Sequence, residues 1–206
     1  MMTTLLPILV ALLLRVQVEA TGAAAWLTKP TLASHEFSLS NRYADPGVNR
    51  VFKDNILLTL AILDKQALIP GPIDWEALEK PFTVRIALAP GEVFAFHEAL
   101  LPEFKGKQVI AIPAHYNATD GFKSDGWLYG DGVCHLASLL YWVARDAGLG
   151  TVALTNHNFA PIPDVPREYG VSIYSNPFET AGSARHNLYI TNTGETPVEF
   201  TFAYDG

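Results

Sequence analysis

Cys134 and His157 are the residues whose types and order suit nucleophilic chemistry. Cys134 is the only cysteine, and it ends the stretch Gly130-Asp131-Gly132-Val133-Cys134. From there Val133, Leu136, Ala137, Leu140, Val143, Ala144 and Ala147 recur at helical spacing, and Gly148 stands where a C-terminal cap glycine belongs. The pattern predicts a helix with the thiol in its first turn, and Ser138, Tyr141 and Arg145 on the same side. Unpaired backbone N–H groups and the positive end of the helix dipole favour thiolate there. Such thiols titrate at about 3.5–7.5 rather than about 8.5. His157, in Thr155-Asn156-His157-Asn158, would take the thiol proton. Glu168 or Asn187 would orient the imidazole, and backbone N–H groups near Cys134 would form an oxyanion hole.

Each residue also has a plainer reading. A free cysteine packs as a small hydrophobe. His157 reads equally as a hydrogen-bonded loop histidine, and His115, His135 and His186 compete with it. Glu168 beside Arg167 reads as a surface pair worth under about 1 kcal/mol, and Asn187 as the end of a turn. His115, Asp120, Asp125 and His135 carry ligand atoms, but no pair has the spacing of a metal motif, so neither metal nor cofactor is expected. For substrate contact the expectation is an aromatic pocket of Phe94, Phe96, Trp127 and Tyr129, with Asp131 and Arg167 beside it. The same aromatics serve equally as core.

The elements that must position these groups follow from periodicity and punctuation. Asp45-Pro46-Gly47 starts a helix running to about residue 66, and Asp74 caps a short one ending before Pro81. Strand signals cover 82–88, 93–96, 108–112, 151–155, 169–174, 187–191 and 198–204. Asn192-Thr-Gly-Glu-Thr-Pro197 reads as the turn of a closing hairpin. The aperiodic polar stretch between Pro113 and Gly132 reads as a functional loop. The expected fold is α+β: a single domain, core helices packed on an antiparallel sheet, with the cysteine at a helix N-terminus followed by strands. Cysteine on a helix, then histidine on a strand, is by analogy the transglutaminase and papain-like order.

At 206 residues, with 49% hydrophobic and 17% charged residues, the chain is long and apolar enough for one packed domain. Its net charge of −7 excludes a nucleic-acid footprint and a basic patch for anionic lipid. Leu5 to Leu14 is an unbroken apolar run, short of the roughly 20 residues needed to span a bilayer. Followed by Val18-Glu19-Ala20, it reads as a signal peptide over 1–20, although no Lys or Arg precedes it. Residues 21–47 read as a connecting segment and 48–206 as the domain. The expectation is an extracytoplasmic protein with no membrane contact beyond the N-terminal segment; the sequence says nothing of its oligomeric state.

Several stretches resemble the VanW-like proteins, a family named for an accessory member of some glycopeptide-resistance gene clusters. Asn49-Arg50 through Ile62 is similar to a family segment rich in Arg, Asn and Ile. Pro90-Gly91-Glu92-Val93-Phe94-Ala95-Phe96 resembles the family's Pro-Gly-Glu-x-Phe-Ser-Phe. Gly130 to Cys134, with Leu139-Leu140-Tyr141 and Ala147-Gly148-Leu149, resembles its Gly-Gly-Gly-Val-Cys-Gln helix. His157, Val165-Pro166 and Arg167-Glu168, then Asn187-Leu188 through Asn192-Thr193 to Pro197, resemble its closing motifs. Asp131, His135, Glu168 and Asn187 depart from the family's Gly, Gln, Asp and Asp. The resemblance implies a protein of the bacterial cell envelope. Two functions remain open: a cysteine-dependent amide hydrolase or acyl transferase acting on peptidoglycan-type peptides, and a non-catalytic envelope-associated binding or accessory protein.

Overall fold

The structure is a computed structural model that describes residues 13–21 and 30–206. In chain order its elements are β1 (Leu13–Ala20), β2 (Thr31–Ser38), α1 (Pro46–Leu63), α2 (Trp75–Leu78), β3 (Phe82–Leu88), β4 (Val93–Ala95), β5 (Val109–Ala111), α3 (Val133–Asp146), β6 (Gly150–Ala153), α4 (Thr180–Arg185), β7 (Leu188–Thr191) and β8 (Val198–Tyr204). The fold is α+β, with two four-stranded sheets where the periodicity suggested one.

The punctuation signals act as their chemistry requires. Asp45 Oδ1 accepts the N–H groups of Gly47 and Val48 at 2.8 and 3.0 Å, and Pro46 occupies the first turn of α1. Asp74 accepts the Ala77 N–H at 3.0 Å and so starts α2. Gly148, at φ +74°, closes α3, its N–H bonding the Arg145 carbonyl at 3.0 Å.

The first sheet runs β2-β1-β8-β3, all antiparallel. Its register stacks one buried residue per strand in each row: Val16, Phe202 and Val84, then Val18, Phe200 and Ile86. Period-2 alternation turns these toward α1 and α3, and the alternate residues toward solvent. The second sheet runs β5-β4-β7-β6, with β4 and β5 parallel. Phe94, Leu188 and Ile190 join the main core on one of its faces, while Val93, Ala95 and Tyr189 pack against Leu101 and Phe104 in a smaller one. Both faces are therefore covered.

Four expectations change. Residues 13–20, read as the end of a leader, form an inner strand between β2 and β8; the apolar run before them lies mostly outside the described residues. The segment 21–47, read as a connection, contains β2 and belongs to the same sheet. Buried Arg42 anchors it by donating to the Ser38 and Pro163 carbonyls at 2.7 and 2.9 Å and pairing with Asp164 at 2.5 Å. The expected closing hairpin is also absent, because β7 and β8 belong to different sheets. Asn192 forces the separation: its Nδ2 donates to the Leu88 and Thr196 carbonyls at 2.9 Å each, so the chain leaves one sheet and enters the other. Finally, residues 170–174 are extended without joining a ladder.

α1 and α3 cross where Gly132 meets the backbone of α1. A Cβ on Gly132, at φ +94°, would lie 2.5 Å from the Phe52 carbonyl oxygen. Gly132→Ala is expected to lower stability by at least about 2 kcal/mol, from left-handed strain together with backbone overlap. Urea denaturation checks this, and an unchanged midpoint would refute the tight crossing.

Candidate functional site

Cys134 is the second residue of α3, as the periodicity required. The N–H groups beside it are already engaged: Val133 donates to the Gly130 carbonyl at 3.1 Å and His135 to the Gly132 carbonyl at 3.0 Å. Of the N–H groups expected to form an oxyanion hole, these two are therefore taken. The thiol bonds the extended segment opposite. Sγ accepts the Ile173 N–H at 3.3 Å and faces the Ile173 carbonyl at 3.7 Å as a donor. A thiolate could not donate to that carbonyl. Burial pushes the Cys134 thiol up to about 11, against the lowering effect of the Ile173 N–H, and the Asp131 carboxylate adds to the rise. This is the opposite of the direction that the helix start suggests.

Ser138 completes the arrangement one turn on. Its hydroxyl donates to the Cys134 carbonyl at 2.7 Å and accepts the Val171 N–H at 2.9 Å. Four helical residues rise about 6 Å, and two extended residues span about 6.6 Å. Side chains at i and i+4 of α3 therefore meet alternate amides of the segment. The intervening N–H groups point the other way, Ser172 to the Thr155 carbonyl at 2.9 Å and Tyr174 to the His186 carbonyl at 3.0 Å. The sequence placed Ser138 away from the apolar stripe, whereas it is fully buried.

His157 faces a different neighbour. Its ring centroid lies 6.0 Å from that of His135 and 4.0 Å from that of Phe159, and its Nδ1 meets the Ala160 carbonyl at 3.2 Å. Because His135 is one residue beyond Cys134, its side chain leaves the helix in another direction, and His157 follows it. No hydrogen bond joins His157 to the thiol among the described residues, and the transglutaminase and papain-like order is not confirmed. Glu168 sits exposed in a 3-10 turn, and the neighbouring Arg167 donates to the Asn158 carbonyl at 3.0 Å. Asn187 is buried among the residues that follow β4. It accepts the His97 N–H at 3.2 Å and donates to the His97 and Ala99 carbonyls at 3.0 Å each.

The expected aromatic pocket also separates into parts. Phe94 and Phe96 are core residues, whereas Trp127 and Tyr129 stand exposed on a loop. Asp131 is half-buried, with its carboxylate 3.4 Å from the Asp125 N–H. Burial, then the charge of Asp125, raises its carboxyl to about 6.

A polar cleft of about 210 Å³ lies instead beside the Asn187 knot. Glu98, His115, Ser175, Asn176 and Thr180 line it. His97, the residue before Glu98, donates from Nε2 to the His186 carbonyl at 3.0 Å, leaving Nδ1 to accept the Ala99 N–H at 3.3 Å. Burial lowers this imidazole to about 4, so it stays neutral and holds the cleft wall. His115 is fixed through its own N–H, which donates to Asp120 at 2.6 Å. The cleft offers a carboxylate, an imidazole, hydroxyls and an amide, a set suited to hydrogen-bonding a polar ligand. Among the described residues, no group of three His, Cys, Asp or Glu side chains is placed to hold a metal ion. Neither His97 nor Ser138 carried a motif; the one signal was that Cys134 and Ser138 are four residues apart.

The comparisons agree with the motifs from Pro90 onward, whereas the Asn49–Ile62 stretch lies outside the matched residues. The family model described as VanW like protein matches residues 83–205, more than half of the chain. No curated protein and no solved structure matches significantly.

Ser138→Ala and Cys134→Ala each orphan one buried amide and are expected to cost about 1–3 kcal/mol, with Cys134→Ser costing less. Faster hydrogen exchange at Val171 and Ile173 checks this; unchanged exchange would exclude the link. Acid supplies another test. Burial lowers His97 to about 4 and His135 to about 3, and lowers His157 as well, whereas unfolded imidazoles titrate near about 6.5. Between those limits the unfolded chain binds more protons, so stability is full above pH 6.5 and falls as pH drops. Asp131, raised to about 6, opposes this as a single group. Urea unfolding at pH 7.5 and 5 should therefore show lower stability at pH 5.

Proposed function

The chain belongs to the VanW-like protein family, and we propose that it is a non-catalytic binding module of the cell envelope whose ligand is a peptide of the peptidoglycan type. Membership of this family fits a cell-envelope-associated protein. One observation carries the non-catalytic reading: the Cys134 sulfur sits between the N–H and carbonyl of Ile173, with His157 turned toward His135 and Phe159. A nucleophilic cysteine needs a lowered pKa or a base within hydrogen-bond reach, and this thiol has the opposite shift.

The ligand site in this reading is the cleft of Glu98, His115, Ser175, Asn176 and Thr180. Stem peptides present amide N–H and carbonyl groups together with free carboxylates and amines. The Glu98 carboxylate suits an amine, and the Ser175 and Thr180 hydroxyls and the Asn176 amide suit the backbone. The module works outside the cytoplasm, where such peptides are found.

The pH dependence of Cys134 alkylation by iodoacetamide in the folded protein tests the non-catalytic reading. The expected result is negligible modification at pH 6 and slow modification above pH 8.5, unchanged in His157→Gln. Rapid alkylation at pH 6 that disappears in His157→Gln would establish a Cys134–His157 enzyme in its place. Calorimetric titration with a muropeptide tests the ligand: Glu98→Gln and His115→Ala should each weaken binding at least fivefold.

A further inference from the structure

We propose that the loop carrying Trp127, Leu128 and Tyr129 is a wedge that inserts into the interface of an uncharged or zwitterionic lipid bilayer. These three consecutive side chains are 90%, 67% and 55% exposed. Large apolar groups left in water are unfavourable, and a run of three on one turn is a feature that function must explain.

The turn is braced rather than loose. Ser124 and Tyr129 form a β-bridge, and the Gly126 N–H donates to Ser124 Oγ at 2.9 Å. Asp125 Oδ1 accepts the N–H groups of Trp127 and Leu128 at 2.9 and 3.3 Å. At the base, Asn55 of α1 donates to the carbonyls of Lys123 and Asp131 at 3.0 and 2.9 Å and accepts the Lys123 N–H at 2.8 Å. The backbone that carries the exposed side chains is therefore fixed before anything binds them, which lowers the ordering cost of binding.

Two other loops present single exposed aromatics around the same end of α3. Phe159, 81% exposed, lies tilted against His157, which packs on His135 in the first turn of α3. Phe178, 97% exposed, lies five residues beyond Ile173, the partner of Cys134. Three separate projections need a broad surface that deforms around them. A bilayer interface receives all of them, and the indole N–H and phenol O–H suit the headgroup level.

Charge selects the lipid. Residues 124–131 contain two carboxylates, Asp125 and Asp131, and no Lys or Arg. Lys123, at the base, is taken up by Asp54 at 2.6 Å and by the ring of Trp75 at 3.8 Å. Nothing on the wedge attracts anionic headgroups. This places membrane contact beyond the N-terminal segment, where the sequence suggested none.

The test is tryptophan fluorescence of the full chain with phosphatidylcholine vesicles carrying brominated acyl chains. Wild type should show blue-shifted, quenched emission, and Trp127→Phe should abolish at least half of the quenched component. Leu128→Ser/Tyr129→Ser should lower vesicle partitioning at least tenfold without altering thermal unfolding. The apolar run at 5–14 is common to every variant, so only Trp127-dependent quenching reports the wedge. Absence of that quenching would overturn the proposal, as would insertion into phosphatidylglycerol vesicles alone. A dimer in sedimentation that Trp127→Ser dissociates would also overturn it, by assigning the wedge to a second copy of the chain.

Discussion

A peptide segment buried between a helix and a sheet must place every amide N–H, because an orphaned one costs about as much as several favourable contacts return. Residues 170–174 are in that position. Their alternate N–H groups meet backbone carbonyls on the sheet side and meet α3 on the other, where the helix backbone has no acceptors left to offer. Side-chain acceptors at helical spacing are the available solution, and Ser138 and Cys134 provide them. Packing thereby gives the lone cysteine a structural part in the fold. Its sulfur reaches further than a hydroxyl would, and its proton finds the Ile173 carbonyl. The burial that makes this link useful also suppresses the charged form of the thiol.

The same need recurs where strands end and loops begin, and asparagine meets it each time. Asn187 ties down the chain leaving β4, and Asn192 holds the two sheets apart at the exits of β3 and β7. Each uses its amide hydrogens on backbone carbonyls that no strand reaches. Two short sheets with four splayed ends contain many such carbonyls, and these buried amides replace the pairing that a single continuous sheet would have supplied.

Much of this fold was legible. The caps at Asp45 and Asp74, the glycine at 148 and the alternation in β3 and β8 are local signals, and local structure follows them. The expectation of one sheet failed because periodicity reports which face of a strand is buried and says nothing of which strand lies beside it. In β1 the alternation of Leu14, Val16 and Val18 with Arg15, Gln17 and Glu19 is a strand signal that the preceding apolar run overshadowed. Cys134 was placed correctly in the first turn, but the direction in which its thiol shifts was not legible, because thiol acidity depends on what covers the helix end. That cover comes from Ile173, remote in sequence. His157 illustrates the same limit. Order along the chain brought it near the first turn of α3, but one residue of helical rotation gave it to His135.

The Asn55 clamp has a consequence for how the chain can change. Residues 123 and 131 are both fixed to α1 by the Asn55 side chain, and Lys123 also by Asp54, so what lies between them is a loop with anchored ends. Closing a longer loop costs little, about 0.6 kcal/mol for each doubling of length. Inserted residues would extend outward from the clamp without reaching the helices beneath it. This segment is a natural insertion port, open to new sequence while α1 and α3 stay as they are. Sequence at this end of the molecule can change on a core that does not need to be rebuilt.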